Sequence, residues 1–206
     1  CVARGAHPAA LHPLMTFPRY PIDAPIAPIA PILERVRGCT WALEAEDAAI
    51  AERLEAIVVA LDGRIVRLAA ADRVPYHISG VLASNFVAAL VGAGASLWQG
   101  FGVDRAEAMA ELLPLLRATV ESLADVGLPG ALTGPVARGD TGTVAAHLAW
   151  LDAHAAADPQ IAVLRDAYVA LARLAIPIAR QKGTLSEEAA VRLEELLSSD
   201  VTRSAS

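Results

Sequence analysis

Lysine is almost missing from this chain: Lys182 is the single one in 206 residues, and arginine supplies the other basic side chains. That removes every other candidate for a catalytic lysine, and the arginine preference reads as coding bias rather than chemistry. Cysteine is equally scarce. Cys1 and Cys39 are the only two and form no Cys-x-x-Cys pair, which excludes a disulfide scaffold and points to a reducing, cytoplasmic setting. No block of basic residues occurs and the net charge is -6, so nonspecific nucleic-acid binding is not expected. Aromatic residues make up only 4%, so a core must be assembled from Ala, Leu and Val, a composition that favours closely packed helices. There is no Gly-x-Ser-x-Gly elbow and no Walker loop. The pair Gly92 and Gly94 lacks the third glycine that a dinucleotide turn requires. His147 and His154 share a helix face near Trp150 but lack the spacing and the glutamate of a zinc helix, so no metal is expected.

What is present is apolar surface. Hydrophobic residues reach 55% and the mean hydropathy is +0.44, enough to bury a large core and to limit disorder to the ends. Residues 74–103 contain no Asp, Glu, Lys or Arg. That length could cross a bilayer, but the segment carries Pro75, His77, Ser84, Asn85 and several glycines. Its flanks, Asp72-Arg73 and Asp104-Arg105, lack a one-sided positive bias. A buried helix of a soluble protein is the expectation, with no membrane partner.

The chain divides by pattern. Residues 1–70 read as a partial α/β segment. Ala10 to Met15 resembles the end of a short buried strand, and Thr40-Trp41-Ala42-Leu43 is a second strand. Residues 46–61 have helical apolar spacing closed by Gly63, and Arg64 to Leu68 alternates as a strand. The order strand, helix, strand suggests a parallel sheet edge. Residues 18–31, punctuated by Pro21, Pro25, Pro28 and Pro31, read as an extended polyproline-like loop. Residues 71–206 read as helical. One helix is expected from Asp72 or Arg73 to about Gly100 and another from an Asp104 cap to about Asp125. Three more are expected, starting near Thr141, Ile161 and Leu185, with Pro177 as a kink position. The chain opens on Cys1 rather than Met, so upstream sequence is expected.

Three segments could carry chemistry. His12, followed by Pro13, lies at a strand end, where α/β folds bind ligands; a structural histidine satisfied by backbone is the alternative. His77 is followed seven residues later by Ser84 and then by Asn85, which places the three along one helical stripe. Buried polar groups need partners, so these either pair inside a core or line a polar pocket. Thr133, Gly134 and Arg138 lie in a turn-rich stretch ending at Asp140. They could bind an anion with help from the helix that follows, or simply connect two helices with Asp140 as a cap.

Taken together, Leu11-His12-Pro13-Leu14-Met15-Thr16-Phe17, Tyr76-His77-Ile78-Ser79-Gly80-Val81-Leu82-Ala83-Ser84-Asn85-Phe86 and Leu132-Thr133-Gly134-Pro135-Val136-Ala137-Arg138-Gly139-Asp140 resemble Rossmann-like proteins with a C-terminal DUF2520-type domain. Leu112 to Thr119 fits as well, and the resemblance covers about residues 9–175. It implies a mainly α fold, in which an all-helical C-terminal domain like that of 6-phosphogluconate dehydrogenase (residues 71–206) follows a partial Rossmann-like segment. Similarity to ketopantoate and pyrroline-carboxylate reductases implies NADP or NAD as cofactor and a homodimer formed through the helices. By the same analogy His12 and Pro13 lie on the nicotinamide side. His77 and Asn85 then act on the substrate, and Ser84, Thr133, Gly134 and Arg138 bind it. The Gly-rich turn for the dinucleotide is absent from this sequence, and no lysine stands on the long helix where ketopantoate reductases use one. A histidine, whose ordinary pKa lies near neutrality, could replace it as proton donor at position 77. The implied function is an NAD(P)-dependent oxidoreductase acting on a small carbonyl or imine. The alternative is a non-catalytic helical dimerisation or ligand-binding module.

Overall fold

A computed structural model describes residues 7–17 and 29–198, and the chain separates into two compact units, residues 1–90 and 91–206. The first is built on a three-stranded sheet. Strand β1 (Ala9–Pro13) pairs antiparallel with β2 (Thr40–Ala45), and β2 pairs parallel with β3 (Arg64–Arg67). Helix α1 (Ile29–Val36) precedes β2, and α2 (Ala48–Ala60) makes the crossover from β2 to β3. The parallel β2–α2–β3 unit agrees with the strand, helix, strand pattern. β1, by contrast, runs antiparallel to its neighbour and is largely exposed, not a buried parallel strand.

Most of the proline-rich stretch, residues 18–28, lies outside the described residues, but its end is helical and not extended, since α1 begins at Ile29 and includes Pro31. Proline is tolerated in a first helical turn because the N–H it lacks has no partner there in any case.

Alternation along β2 sorts its side chains onto two faces. Leu43 points to the α2 side and is 1% exposed, and Val58 of α2 is fully buried. Gly63, just before β3, allows this closeness: a Cβ there would stand 2.8 Å from Val58 Cγ1 and 2.9 Å from Trp41 Cδ1. Asp47 starts α2 by accepting hydrogen bonds from the amides of Ala49 and Ile50 at 2.9 and 3.1 Å, as an N-cap carboxylate should.

The apolar segment forms α3 (Arg73–Ala83) and α4 (Asn85–Leu97), followed by a 3-10 turn (Trp98–Phe101). The single helix expected here is interrupted at Ser84, whose backbone leaves helical space at φ -127°, ψ -70°. Ser84 Oγ lies 2.8 Å from the Gly80 carbonyl and 2.9 Å from Asn85 Oδ1. Its one hydrogen can serve only one of them. The segment is also not buried within the chain. Val74, Ile78, Leu82, Phe86 and Leu90 recur every fourth residue and are all exposed, and only 6% of the most apolar window is buried.

The second unit is helical. Helix α5 (Arg105–Gly130) is capped by Asp104 and loses helical geometry at Gly127 and Leu128, close to the end expected near Asp125. A one-turn helix α6 (Pro135–Arg138) follows, then α7 (Thr141–Ala155), α8 (Pro159–Lys182) and α9 (Glu187–Ser198). Helix α8 continues through Pro177. Val136, Val144, Leu148, Ile176, Leu193 and Leu197 are among the side chains packed into one core with several alanines, the small-residue packing that the lack of aromatics requires. Lys182 is structural: its ammonium donates to the carbonyls of Gly130 and Leu132, each at 2.8 Å.

Candidate active site

The sheet face opposite α2 carries Ala42 and Glu44 of β2, and across the antiparallel register His12 and Ala10 of β1. Leu68, just after β3, and α3 complete a cavity of about 460 Å3, within the usual range for small-ligand sites. Arg73, Tyr76 and His77 bring its polar groups from α3. The imidazole of His12 meets the ring of Tyr76 edge-on, with centroids 6.1 Å apart.

Glu44 and Arg73 form a two-point clamp across the sheet and α3. Arg73 Nε donates to Glu44 Oε2 and Arg73 Nη2 donates to Oε1, both at 2.5 Å. This forked geometry suits guanidinium and carboxylate. Hydrogen bonding to Arg73 holds the Glu44 carboxyl below the usual carboxylate range, and the same bond raises Arg73. Tyr76 has its hydroxyl buried without a hydrogen-bond partner among the described residues. Burial raises its pKa, with a smaller effect from Cys39, so the phenol stays protonated and can donate.

The residues expected from sequence fall into three places. His12 and His77 line this one cavity, and His77 is exposed. Pro13 pairs with Trp41 and is not among the lining residues; its carbonyl accepts from the Met15 amide at 2.9 Å. Ser84 and Asn85 form the break between α3 and α4 and do not line the cavity. Thr133, Gly134 and Arg138 belong to the second unit, around α6. Gly134 has φ +94°, and Gly139 has φ +68° with room for no Cβ, since one would lie 2.8 Å from the Cβ of Ala189. Thr133 and Arg138 are exposed. The helix start after this turn is less open to an anion than expected. Asp140 Oδ1 accepts from the Thr143 amide at 3.0 Å and Oδ2 from the Thr143 hydroxyl at 2.7 Å. These bonds lower its pKa, so a fixed negative charge already occupies the N-terminus of α7.

Sequence reasoning missed Glu44 and Arg73 as a site pair. A signal was present: Glu44 is the one charged residue in the strand Thr40–Ala45, and a carboxylate on a half-buried strand needs a partner. Tyr76 stood beside His77 in the motif but was not singled out.

A family profile described as a domain of unknown function, DUF2520, matches residues 39–198. Among solved structures, the chain is similar to protein TM1727 from Thermotoga maritima, at 22% identity and a TM-score of 0.65, covering 84% of this chain and 62% of that one. It is also similar to a candidate NADP oxidoreductase, BF3122, from Bacteroides fragilis, at 22% identity and a TM-score of 0.54, covering 68% and 50%. The chain thus spans less than two thirds of either neighbour. No curated protein matches significantly. At this identity the likeness establishes the fold alone: a mainly helical architecture with a short N-terminal sheet.

The clamp makes a prediction with a definite sign. Glu44 has a lowered native pKa, so its contribution is complete above the ordinary glutamate range and disappears as pH falls through the native value. Arg73→Gln should therefore lower the melting temperature at about pH 7 and do so much less at about pH 3. An equal loss at both pH values, measured by thermal denaturation, would contradict the pairing.

Proposed function

As the chain belongs to the DUF2520 family, we propose that it is part of an NAD(P)-dependent oxidoreductase that reduces a small carbonyl or imine in the cytoplasm. The carrying observation is the cavity on the open sheet face, where two histidines and a buried, unpartnered phenol converge. The oxidoreductase-like architecture supports the same reading, and a formed cavity with such groups favours it over a module that only dimerises.

The cavity suits the nicotinamide end of a cofactor together with a small substrate: its lining is mostly apolar, and the Tyr76 hydroxyl offers a donor to a carboxamide or carbonyl oxygen. When bound, the reduced cofactor supplies hydride. His77 delivers a proton to the carbonyl oxygen or imine nitrogen, which is how a histidine serves as general acid. His12 and Pro13 lie on the nicotinamide side, and the Glu44–Arg73 clamp fixes α3 so that His77 faces the reacting group. In this reading Asn85 orients the substrate, Ser84 supports it, and Thr133, Gly134 and Arg138 take an anionic group. No Gly-x-Gly-x-x-Gly occurs in the sequence, so we assign the hold on the cofactor phosphates to residues outside it.

The exposed stripe from Val74 to Leu90, and exposed Leu115, Val120, Leu123 and Val126 on α5, fit burial against a second copy of the chain. Contiguous apolar surface of this kind seldom stays open to water. The helical Gly92 and Ser96 and the uncharged but polar-dotted sequence fit a protein interface better than lipid.

Two measurements follow. NADPH oxidation by the full-length gene product, screened against keto acids and imines, should fall at least about tenfold in His77→Ala with the fold intact; unchanged turnover would remove His77 from the reaction. Sedimentation in detergent-free buffer should give a soluble dimer, whereas a requirement for detergent would replace the dimer with a membrane contact.

A further inference from the structure

The helical unit holds a second cavity, of about 700 Å3, lined by none of the residues assigned to the reduction. Its walls come from the end of α4 and the 3-10 turn after it, from the last turn of α7, and from the start of α8. The positive-φ Gly102 (φ +88°) ends the 3-10 turn, and Phe101 before it lines the cavity with an exposed ring.

Two rings on α7 form one wall. Trp150 and His154 stack at a centroid distance of 4.1 Å and an interplanar angle of 20°, the contact expected for residues one helical turn apart. His154 Nδ1 lies 2.7 Å from the Trp150 carbonyl oxygen. A carbonyl can only accept, so Nδ1 carries the hydrogen and this bond orients the imidazole. Asp158, exposed at the N-cap of α8, follows one turn beyond: its amide donates to the His154 carbonyl at 3.1 Å. Its Oδ1 accepts from the Gln160 amide at 2.8 Å, while Oδ2 has no recorded partner among the described residues. Gln99 and Gln160 add amides that can accept or donate, and no lysine or arginine lines the cavity.

These groups are complementary to one class of ligand. The carboxylate oxygen can only accept, and the two amide oxygens can accept as well. Indole and phenyl faces attract a flat positive charge, most strongly where water is partly excluded. An anion would meet Asp158 with no cation to offset it. We propose that this cavity is a second binding site, specific for a small planar cation of the amidinium or guanidinium class. The forked N–H groups of such an ion reach Asp158 and its plane lies against Trp150. The site uses none of the residues assigned to the reduction and stands or falls independently of it.

Benzamidinium and benzoate share a shape and differ in the sign of their charge, so calorimetric titration of the full chain with each is the test. Benzamidinium should bind saturably with one site, and benzoate at least about tenfold more weakly. Asp158→Asn keeps an N-cap side chain for α8, since Asn caps as well as Asp, and it should weaken benzamidinium binding at least about tenfold. Trp150→Leu should weaken it as well, with thermal melting confirming that both variants fold. No saturable benzamidinium binding up to about 10 mM, equal affinity for benzoate, or unchanged affinity in Asp158→Asn would each overturn the proposal.

Discussion

The α/β unit is organised by the two-sidedness of one strand. In Thr40–Ala45 successive side chains point to opposite faces, so Leu43 is sealed beneath α2 while Ala42 and Glu44 emerge on the far side. Because β1 pairs antiparallel in a register that sets His12 opposite Ala42 and Ala10 opposite Glu44, the same alternation gathers its polar side chain onto the open face. Slipping either strand by one residue would turn His12 and Glu44 into the α2 layer and remove the cavity. The Glu44–Arg73 clamp then ties α3 to that face, so Tyr76 and His77 are placed by the strand's register and not by their own helix alone.

A second constraint is the apolar surface that the chain leaves open. In the helical unit small residues let α6, α7, α8 and α9 pack closely around Val144, Leu193 and Leu197. Helix α5 and the α3–α4 segment instead keep large apolar side chains exposed. Burying such residues is worth about 1.5–3 kcal/mol each, so a covering partner gains substantially. Ser84 interrupts the segment and its side chain bonds back toward Gly80, which separates the stretch bearing His77 from the stretch that begins at Asn85.

Much of this was legible in the sequence because the signals are local. Asp104 and Asp140 cap helices as expected, and helical geometry in α5 breaks at Gly127, close to the end expected near Asp125. Strands β2 and β3 and the helix between them followed from periodicity. The rest depended on pairing that period cannot encode. The antiparallel direction of β1 was hidden behind the proline-rich stretch that separates it from β2. The break at Ser84 depends on side-chain bonds to a carbonyl, which an uncharged helical pattern conceals. Burial of the long apolar segment was expected because such a run normally lies inside a core, yet within one chain it faces outward. His12 and His77 were found by motif, while Glu44 and Arg73 were overlooked because they stand 29 residues apart and meet only in three dimensions.

On the proposed function, the open sheet face receives the nicotinamide end of a dinucleotide. Calorimetric titration with NADPH and NADH, on this chain and on the full-length gene product, tests it most directly. Saturable binding of one dinucleotide to the full-length product and none to the 206-residue chain alone is expected. Absence of binding to either would contradict it and leave the α/β unit without a cofactor role.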